Sequence, residues 1–241
     1  MRFGPYMILA LASALAACSP LHRTLVPQPA ATPETIPAPA AEGDPGTDST
    51  AERSSAELHL ACFQHPSIDA WEQRLRSERS LHRQTIDSVA RGARYLDRLR
   101  QIVADAGIPP TLALLPVIES SFQPHARGAA DCIGLWQLGA DTARRFGLQV
   151  NEQRDDRLDP VRSTRAAARY LRLLHDRYGD WPLALAAYNA GEGRIDRALL
   201  HHPGATLWDL ADGHQVPRMS FDYVSRFLAV VRIVDDSPRD C

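Results

Sequence analysis

Leu114-Leu115-Pro116-Val117-Ile118-Glu119-Ser120-Ser121-Phe122 places one carboxylate inside an otherwise apolar run. Pro110 can open a helix just before it, since a proline's missing N–H is no loss at a first helical position. On a helix from Thr111 to Ser121, Leu112, Leu115 and Glu119 share one face at spacings of three and four. A face carrying two leucines is the buried one, so Glu119 is expected inside. Apolar surroundings disfavour the ionised form and raise the pKa of a carboxyl group. A carboxylic acid that keeps its proton near neutral pH can donate it to a leaving group, as a glycosidase general acid does. From this stretch alone the competing reading is a half-exposed Glu that caps a helix end.

Helical signals continue on both sides. Upstream, Ile86, Val89, Ala93, Leu96 and Val103 recur at helical spacing, and Gly107 with Pro109 ends that element. Downstream, Asp159-Pro160 reads as an N-cap followed by a first-turn proline. The helix it opens buries Ala167, Leu171, Leu174 and Tyr178 and closes at Gly179. Trp181-Pro182 opens another helix through Tyr188, broken near Gly191, and a last apolar helix runs from about Tyr223 to Val234. No strand-like alternation longer than a few residues and no internal repeat occurs, so the predicted class is mainly α.

The chain has 241 residues and a formal net charge of −2. That leaves room for one domain of about 150 residues plus attachments. The near-neutral charge argues against nucleic acid as a partner, which usually needs a basic stripe. Residues 1–17 read as a signal peptide: one Arg, then a short apolar run from Ile8 to Ala17 that is too short to span a bilayer. The run ends in Leu15-Ala16-Ala17-Cys18, which resembles a bacterial lipobox, so Cys18 is expected to be acylated and to anchor the chain in a membrane. Cleavage after Ala14-Leu15-Ala16, giving a soluble periplasmic protein, is the alternative. Ser19 after the cysteine points to the periplasmic face of the outer membrane. Residues 18–60 are rich in Pro and Ala and read as a disordered tether. Residues 61–108 form an N-terminal helical segment, and residues 109–236 form the principal domain. Of Cys62, Cys132 and Cys241, one pair can form a disulfide, and the sequence leaves the pairing open. No spacing fits a metal site.

The order of Glu119-Ser120-Ser121-Phe122, Gly134-Leu135-Trp136-Gln137, Arg157-Leu158-Asp159-Pro160 and Ala186-Ala187-Tyr188-Asn189-Ala190-Gly191-Glu192-Gly193 resembles the SLT-type lytic murein transglycosylases, family 1. Among its branches the chain most resembles the membrane-bound type D enzymes, with no LysM repeats expected. The resemblance runs from about Trp71 to Val234. It implies a lysozyme-like helical (SLT) domain with an N-terminal helical extension. It also implies cleavage of the MurNAc-β-1,4-GlcNAc bond of peptidoglycan, with formation of 1,6-anhydroMurNAc ends and no cofactor. Glu119 would be the single acid/base, and Tyr188 would point its hydroxyl at the Glu119 carboxylate. Gln137 would hydrogen-bond a sugar and Asn189 would fix the turn beneath. Ser120 and Trp136 join them as substrate-binding candidates. Trp136 also suits packing between its apolar neighbours, and Tyr188 also suits a core aromatic. Glycan strands are the implied partner and a monomer is expected.

Three positions depart from the family pattern. Gly128 stands where a Ser is frequent, Leu138-Gly139-Ala140 replaces a bulky stretch ending in Pro, and Met219-Ser220 replaces Glu-Thr before Tyr223-Val224. These changes keep two further readings open: a weakly active or non-catalytic peptidoglycan-binding lipoprotein, and a hydrolase similar to goose-type lysozymes. The latter needs a carboxylate to place water, for which Asp131 is the candidate.

Overall fold

The computed structural model describes residues 60–235. The signal peptide, the acylation site Cys18, the tether up to its last residue and Cys241 lie outside the described residues. The tether's last residue, Leu60, is fully buried in the short 3₁₀ turn Leu60–Cys62. Cys62 and Cys132 are both disulfide-bonded.

The architecture is helical, as the periodicity predicts. The elements are α1 (Pro66–Ser77), α2 (Arg79–Asp105), α3 (Pro116–Glu119), α4 (Ala140–Arg145), α5 (Pro160–Tyr178), α6 (Trp181–Ala190), α7 (Glu192–His201), α8 (Leu207–Asp212) and α9 (Arg218–Val234). Among the described residues, β-structure is limited to isolated bridges such as Arg127–Ile133 and Ile133–Leu138. None of the described helices is long and apolar enough to cross a membrane.

Helix α6 is the axis of the core. Its sequence, WPLALAAYNA, is apolar on all sides, and nine of its ten residues are buried, leaving Tyr188 partly exposed. Such a helix needs partners all round, and α5, α7, α8 and α9 supply them. Alanines at 166, 167 and 168 let α5 approach closely. Asp159 caps α5 by accepting from the N–H groups of Val161 and Arg162, both at 2.9 Å, and Gly179 closes it in the left-handed conformation at φ 66°. Helix α9 starts at Arg218, earlier than the sequence suggests, and buries Val224, Phe227, Leu228, Val230 and Val231 against α6 and α1.

The stretch around Glu119 differs from the single helix expected. A 3₁₀ segment, Pro110–Leu114, is followed by the one-turn α3. Pro116 is the reason: it has no N–H to give the Leu112 carbonyl, so a continuous α-helix cannot cross it. Leu112, Leu115 and Glu119 are all buried as expected, but so is every residue between them, so the segment is enclosed on all sides and has no single inner face. Ile86, expected on the inner face of α2, is exposed. Thr85, Ser88 and Gly92 face inward instead.

That small-residue face has a purpose at Gly92. A Cβ there would lie 2.7 Å from the ring of Phe122, which is itself buried. Helix α2 therefore holds the turn after Glu119 from behind, with the neighbouring Arg91 donating to the Ser121 carbonyl at 2.9 Å. Replacing Gly92 by Ala should lower stability by about 1–3 kcal/mol in denaturant unfolding, because a buried ring must shift. Gly193→Ala is the control: nothing lies within 4 Å of that Cβ, so the change should be neutral or stabilising by about 0.5 kcal/mol.

Candidate active site

Glu119 sits at the C-terminal end of α3, where the chain turns sharply. Ser121 and Phe122 both adopt left-handed φ values, 52° and 56°, which side-chain-bearing residues seldom do. Phe122 N–H closes the turn on the Pro116 carbonyl at 3.0 Å, and the buried Phe122 ring pins it.

The Glu119 side chain is 3% exposed. One oxygen, Oε1, accepts a short hydrogen bond from the Tyr223 hydroxyl of α9. The other, Oε2, is buried with no partner. Burial pushes the carboxyl pKa up to about 7, opposed by the Tyr223 hydrogen bond and by the positive charge of Arg226. A buried polar atom without a partner is uncommon, and here it marks where a reacting group would sit.

Among the residues picked out from the sequence, the structure separates those at the acid from those that build the frame. Tyr188 lies close enough to Glu119 for its own pKa to be raised by burial and then by the Glu119 charge. Its hydroxyl, however, donates to the Trp136 carbonyl at 2.7 Å and not to Glu119. Tyr223 makes the bond expected of Tyr188. The correction has a geometric origin: Tyr188 looks across at the loop that carries Trp136, whereas α9 brings Tyr223 directly over the carboxyl.

Trp136 is fully buried and donates from Nε1 to Thr164 Oγ1 at 2.8 Å, so it packs and offers no sugar platform. Ser120 turns inward, donating to the Leu135 carbonyl at 2.9 Å. Gln137 is 7% exposed, and its amide nitrogen donates to the Gly134 carbonyl at 2.8 Å and the Ala126 carbonyl at 3.4 Å. It braces the loop in place of reaching into a cleft. Asn189 is buried with Oδ1 unpartnered, and the turn after it is closed by backbone bonds such as Gly191 N–H to Ala187 O at 2.8 Å. The turn does not need the Asn189 side chain.

The loop of residues 126–138 is thus a stitched unit beside the acid. Gly134, at φ 84°, passes so near the Arg157 carbonyl that a Cβ would lie 2.0 Å from it. Gly128, one of the departures, meets the same constraint from Gln137, whose Oε1 would be 2.1 Å from an added Cβ. The loop is anchored by Arg157, which is 3% exposed. It grips Asp155 through two nitrogens at 2.9 and 2.7 Å and donates to the carbonyls of Asp131 at 2.7 Å and Leu138 at 3.2 Å. The same guanidinium reaches the Asp131 carboxylate at 3.3 Å, so Asp131 serves an ion pair. Sequence reasoning missed Tyr223, Arg226 and Arg157. The one available signal was the spacing of Met219, Tyr223 and Arg226, which puts all three on one stripe of α9.

Residues 103–206 match the Transglycosylase SLT domain family. These residues of the chain are therefore similar to an SLT-type transglycosylase domain. The chain is 33% identical over 189 residues to membrane-bound lytic murein transglycosylase D of Escherichia coli strain K12, covering 76% of this chain and 40% of that one. It is 38% identical over 113 residues to membrane-bound lytic murein transglycosylase F of Alcanivorax borkumensis, covering 43% and 23%. The crystal structure of the 70 kDa soluble lytic transglycosylase of Escherichia coli aligns at 21% identity with a TM-score of 0.43, over 57% of this chain and 23% of that one. The chain spans well under half the length of each of these relatives.

Native protein holds the Glu119 proton up to about pH 7, whereas the ordinary value is 4.5. The stability tied to this group is therefore full at low pH and is lost as the pH climbs from 4.5 to about 7. Glu119→Gln has no charge to bury. It should match the parent near pH 4 and exceed it by about 3 kcal/mol near pH 8, measured by denaturant unfolding at the two pH values.

Proposed function

We propose that the protein is a peptidoglycan lytic transglycosylase that cleaves the MurNAc-β-1,4-GlcNAc bond with Glu119 as its one acid/base. The observation that carries this reading is a buried carboxyl with a pKa near 7 and one unpartnered oxygen, in a stretch similar to a transglycosylase domain.

Oε2 is the atom suited to hold the transferable proton, because Oε1 is committed to Tyr223. Protonation of the glycosidic oxygen lets the GlcNAc side leave as an alcohol, and positive charge develops at C1 of the muramoyl ring. Glu119, now a carboxylate, then removes the proton from the C6 hydroxyl of that ring, and the C6 oxygen bonds to C1. Atoms balance without water: one C–O bond breaks, one forms, and Glu119 ends protonated as it began. The attacking hydroxyl belongs to the same sugar, which gives it a high effective concentration. A two-carboxylate hydrolysis would need a second free carboxylate facing the bond. Asp131, the candidate for that role, has its side chain 64% exposed and meets Arg157 at 3.3 Å, outside the buried pocket that holds Glu119.

The names of the relatives, membrane-bound murein transglycosylases, support a site of action at the cell wall. Cys18 and the tether would hold the domain at the periplasmic face of the outer membrane, acting as a monomer on glycan strands.

The test is digestion of purified peptidoglycan by the parent and by Glu119→Gln, with fragments read by mass spectrometry. Parent products should carry 1,6-anhydromuramoyl ends, about 18 Da lighter than hydrolysis products. Glu119→Gln should release none. Reducing ends from the parent would replace this reading with hydrolysis.

A further inference from the structure

Arg226 is the least explained charge in the molecule. It lies on α9, three residues after Tyr223 and so on the same stripe. Its Nε is buried without a partner, and among the described residues it forms no ion pair or hydrogen bond. Around it are aromatic and cationic groups. Its guanidinium carbon lies 5.9 Å from the ring centroid of Trp71 on α1, and Arg74 covers that ring at 4.4 Å. Arg74 has its own counter-ion in Glu78 at 2.7 Å. Arg226 is half-buried, and its Nε lies inside with no counter-ion beside it, so nearby negative charge would stabilise it. The anion whose charge Arg226 feels is Glu119, where Oε2 is likewise buried and unpartnered.

We propose that Arg226 is a positioning residue for Glu119: a half-buried positive charge, set one turn after Tyr223 on α9, that stabilises the Glu119 carboxylate in the half of the cycle after it has given up its proton. The inference rests on the catalytic reading above for its role in turnover, but not for the charge coupling itself. It divides the work at the acid. The apolar wall keeps the proton on Glu119 for the first step. Arg226 and Tyr223 keep the resulting carboxylate from being too strong a base to form. Without the cation, protonation of the leaving group would strand a charge in an apolar wall.

The groups that face Glu119 are few. Tyr223 and Arg226 come from α9 and Tyr188 from α6. Helix α2 contributes Arg91, bonded to the Ser121 carbonyl two residues on. Arg226 in turn faces Arg74 from α1, which opposes its charge. Of these, Arg226 and Arg91 alone bring positive charge to the elbow, and the Arg91 nitrogen Nε is spent on a backbone carbonyl.

The decisive experiment is titration of Glu119 in the full chain, labelled with carbon-13 at the glutamate carboxyls and followed by NMR. Glu119→Gln identifies the resonance. In the parent the midpoint should lie at about 7. In Arg226→Met it should rise by about one unit, and Arg226→Lys, which keeps a charge, should return it most of the way. At about pH 5, where Glu119 is neutral, Arg226→Met should melt no lower than the parent, because an unpaired cation has been replaced by an apolar stem. Should that variant not fold, Arg226→Gln answers the same question. An unmoved midpoint in the neutral variant overturns the proposal and leaves Arg226 as packing for Trp71. A raised midpoint in a protein that releases no fragments from peptidoglycan upholds the charge coupling and overturns the catalytic reading instead.

Discussion

The molecule turns on one conflict: a carboxyl group placed where its charge is unwelcome. Glu119 is buried, which holds its proton on, yet it accepts a hydrogen bond from Tyr223 and feels the charge of Arg226, which draw the proton off. Neither side wins outright, and the balance falls at a pKa of about 7. A group balanced there can give a proton and take one back with little driving force wasted in either direction. The rest of the fold can be understood as what is needed to hold these opposed surroundings around one side chain.

Two bodies meet at the acid. One is the elbow, in which Pro116 breaks the helix, Ser121 and Phe122 are held at left-handed φ, and α2 clamps the turn through Arg91 and the gap at Gly92. The other is the stitched loop of residues 126–138, hung on Arg157 and joined to α6 by Tyr188. Ser120 ties the two together by donating to the Leu135 carbonyl. Positions that break the family pattern fit this frame differently. Gly128 leaves the space that the Gln137 amide fills, so a larger residue there would displace the brace. Met219 stands 48% exposed on the α9 stripe that carries Tyr223 and Arg226.

Much of this was readable before any coordinates, for reasons that are local. The burial of Glu119 is legible in the apolar run that it interrupts. The limits of α5 follow from Asp159, Pro160 and Gly179, and the central place of α6 follows from a sequence with no polar face. What could not be read is long-range. Tyr188 and Tyr223 are both tyrosines near helix stripes. Which one touches Glu119 depends on how α9 crosses α3, more than a hundred residues apart in the chain. Gln137 looks like a cleft group in a linear sequence, and Arg157 shows no role there at all. Only the folded loop shows their donors already satisfied by carbonyls that pass within reach. The break at Pro116 was legible in principle, since a proline inside a helix removes the bond to the residue four back.

The most direct measurement is the pH dependence of the initial rate of anhydro-end release from peptidoglycan by the full chain. A cycle that starts from protonated Glu119 should lose rate on the alkaline side, with a midpoint near 7. A rate that instead rose through neutral pH would mean that the reaction begins from the carboxylate, and would contradict the account of Glu119 as a buried acid.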